Sequence, residues 1–246
     1  MRLWLGTARW LATLVVLLAA PASAQEHAGQ ERASQLASPI RPASEWVVDV
    51  MATTAIPTAV GAEVRIETPG RFLLSAMAGG NPYGDALGGL VEAYGGGAAG
   101  HALVSAIAGS AGVFRLQAGW RPTADAGLEL LAGYTLMVAT PTVTRTTLET
   151  LTGQSFAYSG FDQTQLSVLI HGISGELGWR FVIADHLVLR IGIGGTFTVA
   201  SSAHLGVPDA MRESTSAVGQ AEHEIASAIT QYGFVPEARV ALGWRF

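Results

Sequence analysis

From Glu237 to the C-terminus the chain alternates strictly between apolar and polar positions. Ala238, Val240, Leu242, Trp244 and Phe246 share one face, while Glu237, Arg239, Ala241, Gly243 and Arg245 share the other. One face is wholly apolar and the other carries every charge, which is the period of a half-buried β-strand. The same split recurs upstream. Leu187, Leu189, Ile191, Ile193, Phe197 and Val199 oppose Arg190, Gly192, Gly194, Thr196 and Thr198. Leu128, Leu130, Ala132, Tyr134, Leu136 and Val138 oppose Glu129, Gly133, Thr135 and Met137, and Val60, Ala62, Val64 and Ile66 oppose Gly61, Glu63, Arg65 and Glu67. Residues 45–55, 71–79, 113–121 and 164–181 complete a set of eight expected strands.

Strands of this kind fit a membrane rather than water. A transmembrane strand needs about 9–11 residues, and each segment supplies roughly that. Pro57, Pro69, Pro82, Pro122, Pro141 and Pro208 fall between strands, where a missing N–H costs no ladder bond, and Pro236 marks the upper end of the last one. The connections alternate in length. Residues 68–70, 122–126 and 182–186 make short turns, whereas 80–112, 140–163 and 200–231 are long; the first hairpin, turning near Ile56 and Pro57, is the tight exception on the long-loop side. Outer-membrane barrels place short turns in the periplasm and long loops outside the cell.

A repeated phrase fixes the depth of three strands. GWR occurs at Gly119–Arg121, Gly178–Arg180 and Gly243–Arg245, each time where a strand descends from a long loop to a short turn or to the terminus. Trp120, Trp179 and Trp244 therefore belong at one rim facing outward, where an indole suits the headgroup region as part of an aromatic girdle.

Composition supports a wall that does not face water. The chain is 49% hydrophobic and 13% charged, with 30 glycines, where a soluble domain carries about 25% charged residues. Residues 1–24 hold Arg2 and Arg9, an apolar run from Leu11 to Ala20 and then Ala22-Ser23-Ala24, the pattern of a cleaved signal peptide. The run is too short to span a bilayer as a helix. Removing Arg2 and Arg9 leaves 14 − 2 = 12 basic against 19 acidic residues, a net of −7, and nothing in that balance suits a nucleic-acid partner. With no cysteine, disulfides, lipid acylation and thiolate metal sites are excluded. Residues 25–44 lack periodicity and read as a flexible periplasmic segment, followed by the barrel at 45–246.

A last strand ending in outward-facing aromatics, with Phe246 closing the chain, resembles the final strand of bacterial outer-membrane β-barrels, and the alternation from Glu45 to Phe246 resembles their small eight-stranded OmpA and OmpX types. The resemblance implies an all-β fold: an eight-stranded antiparallel transmembrane barrel in the bacterial outer membrane with short helices in its long external loops. It further implies contact with outer-membrane lipid and lipopolysaccharide, and with the barrel-assembly machinery, which would read Phe246. It carries over no functional residue and names no extracellular partner.

Inside so narrow a barrel there is room only for its own side chains. The alternation puts Glu63, Arg65, Glu67, Arg71, Arg115, Arg121, Glu129, Glu176, Arg180, Arg190, Glu237, Arg239 and Arg245 in the lumen, with Asp49 from the first strand. Enclosed charges must pair, so a plug of salt bridges is expected, with Glu129 and Glu176 as the acids for Arg115, Arg180 and Arg190.

Candidate chemistry is sparse. His171 and Ser174 are the residue types of a lipid-deacylating barrel enzyme, in which an outward-facing histidine activates a serine, but the count back from Phe181 points them to opposite faces, and only a bulge would realign them. Glu222-His223-Glu224 matches no metal-ligand spacing, and the glycine clusters at Gly95-Gly96-Gly97 and Gly194-Gly195 lack phosphate-loop spacing. Neither a catalytic residue nor a cofactor or metal site is assigned. In the long loops, Tyr83, Ala86, Leu87, Leu90, Val91 and Tyr94, then Leu103, Val104 and Ile107, recur at helical spacing, as does a stretch within residues 209–229; these read as short helices capping the barrel. Three functions follow: a non-enzymatic structural or surface-interaction barrel, a narrow channel or conduit for small or apolar solutes, and a lipid-modifying enzyme. A soluble lipocalin-like barrel would reverse the facing of Glu237, Arg239 and Arg245.

Overall fold

The computed structural model describes residues 46–123, 127–153, 162–208, 216–231 and 233–246. The expected signal peptide (1–24) and periplasmic segment (25–44) lie outside the described residues, as does part of the helical stretch at 209–215.

Strands β1 (Val47–Ile56), β2 (Ala59–Glu67) and β3 (Phe72–Gly80) lead into helix α1 (Gly84–Val91), a π-helical turn at Glu92–Gly96 and helix α2 (Gly97–Gly109). Then come β4 (Gly112–Trp120), β5 (Leu128–Ala139), the short β6 (Thr142–Thr144), α3 (Arg145–Thr152), β7 (Gln163–Ile183), β8 (Leu187–Leu205), α4 (Ser216–Gln231) and β9 (Phe234–Arg245). The sheet order β5-β4-β3-β2-β1-β9-β8-β7 closes through β5–β7 pairing, with every neighbour antiparallel. Eight strands thus form a closed barrel, and β6 continues the β5 wall upward beside β7. Closure leaves no open sheet edge within the wall, the condition for a sheet to sit in hydrocarbon.

The alternation read from sequence is the alternation of the wall. Val50, Val64, Leu74, Leu116, Leu130, Ile173, Ile191, Ile193, Val240 and Leu242 are exposed large apolar side chains on the outer face. Pro236 lies within β9 rather than above it. Opposite β1, β9 is paired only as far as Ala238, which faces Ile56, so the proline sits where that edge is already open and removes no bond to β1.

Two features depart from the sequence reading. β7 and β8 run for 21 and 19 residues, well past the other strands. Between His171 and Gly172 their register shifts, with Ala200 opposite the first and Thr198 opposite the second. Val199 is the extra residue of a β-bulge. It moves the inward positions of β8 from Thr196 and Thr198 to Ser201, Ala203 and Leu205, so the tall hairpin continues with its apolar residues inward above the other strands.

That tall wall and the helices enclose an apolar cap. Leu103 and Ile107 of α2, Leu148 of α3 and Val218, Ala221 and Ile225 of α4 pack with Val143, Leu166, Val168, Ala203 and Leu205 in one buried cluster. The helices expected from the loop periodicity are α1, α2 and α4; α3 was not foreseen. α1 packs tightly on α2 because a side chain at Gly84 or Gly88 would run into the Ser105 and His101 region. Hydroxyl bonds tie the capping elements down: Ser201 Oγ donates to the Ala226 carbonyl at 2.7 Å, and Thr54 and Tyr83 share a 2.6 Å bond.

Candidate functional site: a charged lumen beneath an apolar cap

Below the cap the barrel interior is charged, and its charged side chains are buried. Alternation delivers the inward side chains and the register stacks them in layers. Nearest the short turns, Glu67 binds Arg180 through Oε2 and Arg121 through Oε1, both at 2.5 Å. Asp49 receives Arg180 at 3.3 Å and Arg245 at 2.9 Å. One layer up, Glu129 is shared by three guanidinium groups: Arg65, Arg190 at 3.1 Å and Arg180 at 3.3 Å. Arg190 also binds Glu176 at 2.5 Å, and Ser75 donates to Glu63 at 2.7 Å.

In the top layer Arg239 Nη1 reaches Glu176 Oε2 at 2.9 Å and Gln117 Oε1 at 3.0 Å. Arg115 binds Glu237 at 2.7 Å, and both touch hydroxyls: Arg115 Nε donates to Thr135 at 3.0 Å and Thr196 donates to Glu237 at 2.8 Å. Arg65, Arg180, Arg190, Glu63, Glu67 and Glu129 are each no more than 1% exposed. The space framed by Arg115, Gln117, Ser174, Glu176, Glu237 and Arg239 leaves no room for a water molecule.

Glycines in the wall make the space for these groups. Gly178 and Gly192 face each other across β7 and β8. A Cβ at Gly178 would lie 3.1 Å from Arg190 Nη2, and one at Gly192 would collide with Glu176 Oε1. The Arg190–Glu176 pair therefore lies flat against bare backbone.

Of the residues that the sequence assigns to the interior, Glu63, Arg65, Glu67, Arg115, Glu129, Glu176, Arg180, Arg190, Glu237 and Arg239 all meet in the lumen network. Arg71 does not. It sits in the β2–β3 turn with φ of 66°, which swings its side chain to the rim, where Nη1 donates to the Pro122 carbonyl at 3.0 Å and the guanidinium lies 5.9 Å from the Trp120 ring centroid. Without it, the described lumen holds seven arginines (65, 115, 121, 180, 190, 239, 245) and six acids (49, 63, 67, 129, 176, 237). Arg115 takes Glu237 as its acid rather than Glu129 or Glu176.

Trp120, Trp179 and Trp244 all face outward at the short-turn rim, 42%, 40% and 50% exposed. Phe246 is 74% exposed and pairs with Val48, donating at 2.9 Å. Trp46 and Phe72 stand at the same rim. A second ring of Phe114, Tyr134, Phe197 and Phe234 faces out toward the long loops. Of this upper ring, Tyr134 and Phe197 lie on apolar faces that the sequence pattern draws, whereas Phe114 and Phe234 do not.

His171 and Ser174 point to opposite faces of β7. Ser174 is buried against Gln117, and the His171 ring instead hydrogen-bonds the Tyr134 hydroxyl on the outer surface. Among the described residues no group of His, Asp and Glu is placed to hold a metal ion. Glu222 accepts from the Leu205 N–H at 2.7 Å and lies 3.5 Å from His204 Nδ1.

No protein-family model and no curated protein matches the sequence. Among solved structures, the N-terminal β-barrel domain of Pseudomonas aeruginosa OprF is similar, with a TM-score of 0.40, 9% identity and coverage of 82% of this chain and 96% of that one. Acinetobacter baumannii CarO is similar with a TM-score of 0.37, 12% identity and coverage of 85% and 98%.

Proposed function

We propose that this chain is a bacterial outer-membrane barrel whose lumen is sealed, and that it serves as a non-enzymatic structural or surface-interaction protein. The observation that carries the reading is the inversion of polarity across a closed wall: an apolar outer face between two aromatic rings, and an inner face whose charges are consumed in ion pairs. Water offers no reason to build that arrangement, whereas a bilayer does. The signal-peptide pattern of residues 1–24 supports export.

Two stoppers in series support a sealed lumen: three layers of ion pairs, then the cap packed around Leu148 and Leu166. A role for the outer face and loops as a surface follows from what remains accessible. The opposite facing of His171 and Ser174 argues against a serine-hydrolase site.

The test is electrical. Refolded protein in planar bilayers is expected to give no conductance steps at neutral pH and moderate salt. Discrete reproducible steps from the unmutated chain would replace the sealed-scaffold reading with a narrow channel or conduit.

A further inference from the structure

The two signs of charge in the lumen respond to acid differently. The chain contains no lysine, and all 14 of its basic residues are arginines, so every cation of the plug is a guanidinium, which does not lose its proton in a protein. Every anion of the plug is a carboxylate, which takes up a proton as the pH falls. No described histidine joins either set. His171 meets Tyr134 on the outer surface, His186 stacks on Trp244, and His101, His204 and His223 belong to α2, the top of β8 and α4. Acid therefore removes the negative half of the plug and leaves the positive half whole.

The balance already leans toward cations. Seven arginines face six acids, and Arg65 Nε and Nη1 and Arg239 Nε and Nη2 have no acceptor. The acids are also shared. Glu129 faces Arg65, Arg180 and Arg190; Glu67 faces Arg121 and Arg180; Asp49 faces Arg180 and Arg245; Glu176 faces Arg190 and Arg239. Glu63 accepts from Ser75 and lies 3.8 Å from both Arg190 and Arg239, and Glu237 faces Arg115 with Thr196 donating to it. A proton on any one of these carboxyls, Glu237 excepted, withdraws counter-charge from at least two guanidinium groups at once. An uncompensated charge is too costly to stay buried and dry, so water and anions from solution must take the place of the lost carboxylates.

Solution reaches the plug from the short-turn rim. There the Arg245 side chain is 17% exposed, whereas no other described partner in the network exceeds 6%. At the far end stands the cap, whose short helices on long connections yield locally at low cost. The plug is the stricter barrier.

We propose that the lumen is an acid-released path for small inorganic anions. At neutral pH its carboxylates and guanidinium groups consume one another and it is shut. Once several carboxylates are protonated it hydrates, and arginines on the inner faces of β2, β4, β7, β8 and β9 line it with positive charge alone. A low-dielectric wall carrying one sign of charge excludes ions of that sign and concentrates the other, and the narrow bore of eight strands limits passage to small ions. The proposal rests on the sealed-lumen reading and adds what opens the seal and what then passes.

The full chain is refolded into planar bilayers of neutral phosphatidylcholine, and current is recorded across a KCl gradient at about pH 7 and at about pH 4, the ordinary range of carboxylate titration. Silence at the first pH and discrete steps at the second are expected, with a reversal potential of the sign set by chloride and with silence restored on return to neutral pH. Exchanging chloride for gluconate should abolish the steps, and exchanging potassium for choline should leave them. Glu176→Gln removes one carboxylate for good and is expected to move the onset toward neutral pH. Arg239→Gln removes a cation from the same contact and is expected to lower the preference for anions severalfold while the steps persist. Silence in acid from a protein that keeps its heat-modifiable mobility, steps that choline abolishes, steps that gluconate carries as well as chloride does, or loss of heat-modifiable mobility in acid would each overturn the proposal. Equal steps at both pH values would instead strike the sealed-lumen reading on which it rests.

Discussion

At the scale of single residues, the lumen is limited by acceptors. Arg65 Nη1 and Arg239 Nη2 already face no hydrogen-bond acceptor, so every carboxylate removed leaves guanidinium groups with less to bind. Glu129 stands out because three arginines converge on it, whereas Glu176 serves two and Glu237 serves one. Glu129→Gln keeps the shape and removes the charge, and is expected to destabilise the barrel by about 3–5 kcal/mol, the cost of an uncompensated buried charge. Glu237→Gln should cost less, because Thr135 and Thr196 remain to hold Arg115. Urea titration of folded fractions in lipid vesicles checks the order; a Glu237 variant as weak as the Glu129 variant would contradict it. The residues of this network were legible in sequence, since parity along a strand assigns each charge to a face. Their partners were not. Arg115 meets Glu237 across the lumen rather than on an adjoining strand, and which side chains share a layer depends on the stagger of eight strands around a closed barrel, a quantity no single strand's alternation contains. Arg71 was misplaced for a local reason: parity presumes an extended backbone, and a φ of 66° in the turn reverses the side chain.

At the scale of elements, the decisive joint is the seam where the last strand meets the first. There Gly243 faces Met51, and a Cβ at Gly243 would collide with the Val50 carbonyl and Met51 backbone. Backbone cannot step aside as a flexible side chain can, so Gly243→Val should hinder closure, and the folded, heat-modifiable fraction in membranes is expected to fall severalfold. Deleting Phe246 removes two main-chain bonds to Val48 at 3.4 and 2.9 Å and an outward aromatic at the rim. It should lower folded yield in cells more than refolding in detergent, if the terminus is also read during assembly; equal losses in both would confine its role to pairing. The alternation that announced the strands also concealed their ends. β7 and β8 outrun the apolar band of the outer face because a bulge at Val199 carries the alternation onward in the opposite phase, and a one-residue phase change resembles the end of a strand to any count of period two.

At the scale of the whole molecule, the two fillings of the barrel have different physics and should fail differently. The cap is held by apolar burial and short helices strung on long connections, the class of structure that opens locally at low cost. The plug is held by charges in a water-excluding interior wide enough for little but its own side chains, and it can open only if several pairs separate together. Replacing residues 82–110 by a short Gly-Ser turn removes Leu103 and Ile107 from the cap while leaving every lumen charge in place. The truncated protein is expected to bind more of a fluorescent apolar dye from the loop side and still pass no ions. Adding Arg115→Ser and Glu237→Ser, which removes the uppermost pair together and leaves no orphan charge, thins the plug at its top without touching Glu129 or Glu67, and the bilayer should remain silent because the two lower layers stay paired. Ion flow after cap removal alone would mean that the helices, and not the arginines, are the seal. Ion flow only after Glu129 is also replaced would locate the barrier in the middle layer, where three guanidinium groups share one carboxylate.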